Sequence, residues 1–287
     1  MMAHVAEASE QSGRVLLWVE PGQSEIDIAA ECASRFAHAF NAEIETISFN
    51  ADSLLRARML PEKALAHVGS PDGVTAGVER SHVVQSLIGT RQMRTIERAA
   101  RRQGVPLLHT DVEGEALDRL AELCLSRGPW NVVVLTKTAC EETATHISDI
   151  FANVSGATGI VAVPVRASYA TGPIAVVVED AERLPAMLRA ASRLKGLCSR
   201  VHLIIAADRR SDLNDLEAHV RLVTASHQGL VIEPPEPALG VAGALDETLR
   251  ALKTSFVIAC FGGTLLPSPR ALARTMSVAA APFLLVR

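Results

Sequence analysis

The chain has 287 residues, of which 48% are hydrophobic and 3% aromatic, and its formal net charge is −4. This length accommodates one large or two ordinary domains with α/β cores, and no uncharged apolar run approaches the roughly 18 residues that a bilayer span requires. The small negative net charge excludes the general basic field that attracts nucleic acid or an anionic membrane.

The first half of the chain alternates predicted strands and helices. Apolar runs and alternating patterns predict strands at residues 14–20, 42–49, 105–109, 131–136 and 160–166. Helical spacing predicts helices after the first four of them, beginning near Ser24 and then at 78–103, 114–127 and 144–154. The Gly- and Pro-rich residues 51–77 form a predicted insertion. The β-branched run at 131–136 is typical of a strand buried at the centre of a parallel sheet.

The second half repeats this order with shorter elements. Strands are predicted at residues 172–179, 201–206, 230–233, 255–260 and 282–287. Helices are predicted between them at 183–194, 212–227, 241–252 and 269–279. Alternating strands and helices require parallel pairing with right-handed crossovers. We therefore expect an α/β protein of two tandem five-stranded parallel-sheet units, at residues 14–168 and 172–287, packed together through a short hinge.

Candidate binding residues follow from this organisation. Ligands of open parallel sheets bind beyond the carboxyl ends of the strands, where the chain switches direction across the sheet. In each half this point lies after the first and fourth strands. The candidate binding residues are Glu20, Pro21, Thr136 and Lys137 in the first half and Glu179, Asp180, Gly262 and Gly263 in the second.

The chain resembles the universal stress protein family in its tandem form, in which two five-stranded units on one polypeptide mimic the usual homodimer. The resemblance covers nearly the whole chain and rests on the element order, on Glu20 and Glu179 at the ends of the first strands, and on the apolar closing strand after Pro282. It implies a Rossmann-like, adenine nucleotide alpha hydrolase-like fold and an intramolecular pseudo-dimer joined by the closing strands. It also implies ATP or AMP as a ligand, with Glu20 and Glu179 at the acidic position that contacts adenosine.

The sequence departs from the phosphate-binding motif of that family, Gly-x2-Gly-x9-Gly-(Ser/Thr), whose glycines let backbone amides cradle phosphates. The second half keeps Gly263 but has Cys260 at the first glycine and Ala273 at the third. The first half has Thr136 and Ala139 at the two leading positions. We expect nucleotide binding to be weak, confined to one half or lost, so no cofactor is certain.

Side chains of other types could replace the missing glycines as anion donors, or they could be ordinary loop and cap residues. These side chains are Lys137, Thr138, Ser148, Thr264, Arg270 and Arg274. A series of arginines lies along one face of the 78–103 helix and is either a solvated face or a surface for an acidic partner. Its members are Arg91, Arg94, Arg98, Arg101 and Arg102.

Other site types find no support in the sequence. Residues 140–146 contain Cys, Glu and His side chains at a spacing that matches no zinc pattern, and we expect no metal. His146, Ser148 and Asp149 are too close in sequence to form a catalytic triad. Walker A, Gly-x-Ser-x-Gly and His-Glu-x-x-His motifs are absent from the sequence. The five cysteines form no Cys-x-x-Cys pair, which indicates reduced thiols in the cytoplasm.

Three functions remain open. The first is a non-catalytic stress-response or regulatory module whose partners are an adenine nucleotide or another protein, with neither a membrane nor nucleic acid expected. The second is an ATP- or AMP-binding protein with slow ATP hydrolysis, in which Glu20 or Glu179 holds the ribose. The third is a purely structural interaction protein that uses the 51–77 insertion and the arginine face. Further dimerisation of the tandem unit stays open in all three.

Overall fold

The computed structural model describes most of both halves of the chain. The described residues are 13–19, 26–49, 89–112, 116–126, 131–135, 140–164, 167, 172–194, 200–207, 210–225, 231–239, 244–263 and 265–286. The predicted 51–77 insertion and four predicted site residues lie outside these ranges. The four are Glu20, Pro21, Thr136 and Lys137.

Strands and helices alternate along the described chain, as the sequence predicts. The strands are β1 (Arg14–Val19), β2 (Glu43–Phe49), β3 (Leu107–Val112), β4 (Asn131–Leu135), β5 (Ala157–Ala162), β6 (Ile174–Val178), β7 (Arg200–Ala207), β8 (Val231–Leu239), β9 (Phe256–Cys260) and β10 (Phe283–Val286). The helices are α1 (Ile26–Ala39), α2 (89–103), α3 (Ala116–Ser126), α4 (Cys140–Asn153), α5 (Leu184–Arg193), α6 (Arg210–Ala225), α7 (Ala244–Leu252) and α8 (Pro269–Ala279).

The described strands form one ten-stranded sheet in the order β3-β2-β1-β4-β5-β10-β9-β6-β7-β8. Neighbouring strands are parallel except at the middle of the sheet, where β5 and β10 pair antiparallel. Read outward from this seam, each half has the same strand order. The α/β class with a mostly parallel sheet is confirmed. Strand β4 is buried throughout, as its apolar run predicts, although the middle strand of the first five is β1.

Helices cover both faces of the sheet and create two hydrophobic cores. One core packs α1, α2, α5 and α6 on the sheet, and the other packs α3, α4, α7 and α8 on the opposite face. Because side chains alternate along a strand, β10 sends Leu284 into the first core and Phe283 and Leu285 into the second. Each core contains residues from both halves of the chain.

The strand β8 is longer than the sequence predicts. Prolines at 234, 235 and 237 end the predicted strand at residue 233, but β8 continues to Leu239. Among the described strands β8 is the last of the sheet and pairs with β7 on one side only, and a proline that lacks an N–H is tolerated at such an edge. Its pairing with β7 shifts register between His202 and Ile204.

The two helices beside the candidate site begin differently. Helix α8 starts at Pro269, and the Ser268 hydroxyl accepts a hydrogen bond from the Ala271 N–H at 3.3 Å, so this end is capped by its own chain. Helix α5 has no side-chain cap and buries Leu184 and Leu188 against the sheet. Among the described helices, none is both long enough and apolar enough to cross a bilayer.

Candidate functional site

The second half has its switch point between β6 and β9. These strands are parallel neighbours, with Val176 opposite Ile258, and their carboxyl ends lie at the same edge of the sheet. The chain leaves β6 through α5 on one face and leaves β9 through α8 on the other. The resulting crevice brings together Glu179, which follows β6, and the 261–265 loop that follows β9, of which residues 261–263 and 265 are described.

The Glu179 carboxylate binds the backbone of this loop. Its Oε1 accepts a hydrogen bond from the Leu265 N–H at 2.5 Å. Its Oε2 lies so close to Gly263 that a Cβ at position 263 would stand 1.8 Å from it. The glycine therefore leaves the space that the carboxylate fills. Glu179 and Gly263, two predicted site residues, are in direct contact.

The loop is held in shape by bonds that do not involve Glu179. The Gly262 N–H donates to the Leu266 carbonyl at 3.0 Å, and the Phe261 N–H donates to the Val286 carbonyl at 3.2 Å. Gly262 has a φ of 80°, a left-handed conformation that favours glycine. The described part of the loop is thus a closed turn fastened to β10.

Asp180 lies beside Glu179 but has a different contact. Its Oδ1 accepts a hydrogen bond from the Glu182 N–H at 2.9 Å, which shapes the turn before α5. Its Oδ2 lies 3.7 Å from Arg183 Nε, and both side chains are about half exposed, so this ion pair contributes little to stability. Asp180 therefore organises the start of α5.

Cys260 stands at the position of the first motif glycine, at the end of β9. The thiol is 6% exposed, and burial raises its pKa. A hydrogen bond and the positive charge of Arg183 lower the pKa, while the charges of Glu179 and Asp180 raise it further. The net direction is upward, so the thiol stays protonated at neutral pH and is a poor nucleophile.

Solved structures with the same architecture identify the fold. A universal stress protein from Archaeoglobus fulgidus DSM 4304 superposes with a TM-score of 0.60 at 9% identity, covering 96% of this chain and 97% of that chain. The chain has the universal stress protein fold. No protein-family model matches the sequence, and no curated protein sequence matches it.

Two further structures have this universal stress protein fold at similar coverage. The cytoplasmic domain of a prokaryotic cation chloride cotransporter gives a TM-score of 0.58 at 11% identity, over 96% of this chain and 95% of that chain. The putative universal stress protein from Pseudomonas aeruginosa UCBPP-PA14 gives a TM-score of 0.55 at 12% identity, over 95% of this chain and 92% of that chain. At these identities the likeness establishes the fold alone.

The Glu179 side chain fills the space beside Gly263 in the second-half cleft. Phosphate recognition by backbone amides requires open space beside a glycine and free N–H donors. Here the space beside Gly263 holds the Glu179 carboxylate, and the Leu265 N–H is already bonded to it. The group that occupies the cleft is itself an anion.

The first half has an equivalent switch point between β1 and β4, which are parallel neighbours with Val15 opposite Val132. Near the carboxyl end of β1, the Trp18 ring meets the His146 ring of α4 edge to face, with centroids 6.1 Å apart. His146 thus lies beside an aromatic ring on the core face of α4. The predicted residues of this cleft are outside the described ranges, so their roles remain predictions.

Two neighbours of the site were not predicted from the sequence. Phe261, the first residue of the loop, stacks on Phe151 of α4 with ring centroids 5.6 Å apart. Arg183 approaches both Asp180 and Cys260. The sequence signal that could have identified Phe261 as a site neighbour is its position directly before the two glycines. Its partner lies in the other half of the chain, so sequence spacing carries no information about the contact.

The arginine face of α2 is exposed. Arg91, Arg94, Arg98 and Arg101 all face solvent, and Arg102 forms an ion pair with Glu31 of α1 at 2.8 Å. In the part of the chain that the structure describes, no group of three or more His, Cys, Asp or Glu side chains is placed to hold a metal ion.

Proposed function

We propose that this chain is a non-catalytic stress-response or regulatory module of the universal stress protein type. Its two halves, residues 14–168 and 172–287, are tandem units that form a pseudo-dimer within one chain. The repeated strand order supports this assignment, as does the antiparallel pairing of the closing strands, which sets Leu284 opposite Val161. The buried free thiols of Cys32, Cys124 and Cys260 support a reducing, cytoplasmic setting.

The observation that carries the non-catalytic proposal is the contact between Glu179 and the 261–265 loop. A phosphate oxygen placed about 4 Å from this carboxylate would be repelled by about 1 kcal/mol in water and by about 4 kcal/mol at an effective dielectric of about 20. This half also lacks two glycines of the phosphate-binding motif, since Cys260 and Ala273 stand at their positions. Nucleotide binding by the second half is therefore lost while Glu179 stays in place.

A protein partner is the alternative ligand, in which case the chain is a structural interaction module. The similarity to the cytoplasmic domain of a cotransporter favours this second candidate, because there a chain of similar fold is one domain of a larger protein. The exposed arginines of α2, which include Arg94 and Arg98, offer an acidic partner a docking face. Failure to bind any nucleotide in either half would favour this candidate.

Calorimetric titration of ligand-free protein with ATP and AMP tests the proposed function. We expect no heat from the second half, so any heat that the wild-type protein gives with ATP or AMP should be lost in Glu20→Gln. ATP turnover that Glu20→Gln abolishes would refute the non-catalytic assignment and establish a slow ATPase in the first half. An assay of ADP release at saturating ATP supplies that measurement, and nucleotide binding in either case raises the melting temperature.

A further inference from the structure

We propose that Glu179 is an internal anionic ligand of the second-half loop, an autoinhibitory contact that occupies an oxyanion site the loop still possesses. The proposal rests on the proposed function, since it explains why this half binds no nucleotide phosphate. It assigns the site an external ligand class, a small oxyanion such as inorganic phosphate. Removing the carboxylate should then create a binding site.

The 261–265 loop binds the Glu179 carboxylate in the way that such a loop binds an anionic ligand. One oxygen accepts the Leu265 N–H at 2.5 Å, and the other fills the space that a side chain at Gly263 would take. A backbone N–H beside an open glycine is the arrangement by which loops bind phosphate and carboxylate oxygens. A charged acceptor also forms a stronger hydrogen bond to an N–H than a neutral one.

Contacts that do not involve Glu179 also hold the loop in shape. The Phe261 and Gly262 N–H groups bond to carbonyls of β10 and of the loop itself, and the Phe261 ring stacks on Phe151. These contacts fasten the turn to β10 and to the first half of the chain. Withdrawal of the carboxylate would therefore leave an already formed cradle, with little ordering left for a new ligand to impose.

Side chains other than Glu179 shape the starts of the two helices beside the crevice. Ser268 caps α8, and Asp180 shapes the turn before α5. Arg183 lies in the same cluster, near Cys260, and supplies a positive charge close to the crevice. With one negative charge removed, the balance of charge at the crevice shifts in favour of an incoming anion.

The experiment compares wild type, Glu179→Ala and the matched control Glu182→Ala, which removes an exposed carboxylate three residues along the chain. Inorganic phosphate is titrated by calorimetry at constant ionic strength, with sodium chloride as the reference salt. We expect Glu179→Ala to bind phosphate at least about tenfold more tightly than wild type or Glu182→Ala. Acetate, which replaces the missing carboxylate, should raise the melting temperature of Glu179→Ala more than that of wild type.

Glu179→Gln keeps the shape of the side chain and removes its charge, and it serves if Glu179→Ala does not fold. We expect its phosphate affinity to lie between those of wild type and Glu179→Ala. If neither folded variant binds phosphate or acetate better than Glu182→Ala, the proposal is overturned. That result would leave the proposed function intact. Conversely, ATP turnover that depends on Glu20 would overturn the proposed function, while a gain of phosphate binding in Glu179→Ala would still support the internal ligand.

Discussion

The stack of Phe151 on Phe261 should couple the second-half loop to the first half of the chain. The two rings lie 5.6 Å apart with an angle of 22° between their planes, and Phe151 is 9% exposed. Truncation of a buried Phe to Ala costs about 3 to 5 kcal/mol, and residual exposure places Phe151→Ala near the lower end, at about 3 kcal/mol. Phe261→Ala should cost less stability than Phe151→Ala, because Phe261 is partly exposed. The ring–ring interaction itself should contribute about 1 kcal/mol.

A double-mutant cycle separates this interaction from the loss of each side chain. Urea unfolding of wild type, Phe151→Ala, Phe261→Ala and the double variant, followed by circular dichroism, gives the coupling energy directly. Leu125→Ala is the control, because Leu125 is 69% exposed and should change stability by less than about 0.5 kcal/mol. A coupling energy near zero would refute the packing argument. So would two separate unfolding transitions, since both cores span the two halves.

Three further predictions concern Cys32, Gly172 and Glu45. Burial raises the pKa of the Cys32 thiol from 9.0 to about 12, so the folded state holds this proton more tightly than the unfolded state. The resulting stabilisation of the folded state is complete below about pH 9 and is lost as the pH rises toward 12. Cys32→Ala should therefore lose less stability than wild type above about pH 9, measured by urea midpoints, and an equal loss would contradict the assignment. Gly172→Ala should lower the melting temperature by several degrees, because its Cβ would stand 1.9 Å from the Lys253 carbonyl oxygen; an unchanged melting temperature would count against this packing. Glu45→Gln should cost about 3 kcal/mol or more in urea unfolding, since Glu45 is fully buried and lies 2.8 Å from the buried Arg14, and a cost below about 1 kcal/mol would show that the pair is not desolvated.

The element order could be predicted from the sequence because it depends on local patterns. The apolar run that became β4 and the helical spacing of Cys32 and Phe36 in α1 each describe a surface buried against the sheet. The bounds of β8 could not be predicted in this way, since tolerance of Pro234 depends on where the strand lies in the sheet. Sequence position also gave no sign that the Arg14 side chain pairs with Glu45 on the neighbouring strand.

The candidate site was predictable in place but not in detail. Topology alone locates the switch points, and the structure places Glu179 beside Gly263, which follows β9. Which way the carboxylate turns depends on the path of the 261–265 loop, and that path depends on backbone bonds to β10. Long-range contacts of this kind have no periodic signal in the sequence. The same limit applies to the stacking partner of Phe261.

A crystal structure of the wild-type protein grown with ATP tests the central claim most directly. We expect Glu179 Oε1 to keep its hydrogen bond with the Leu265 N–H, with no phosphate group beside Gly263. A nucleotide whose phosphates contact the 261–265 loop, with the Glu179 side chain rotated away from it, would show that Glu179 does not exclude phosphate from this half.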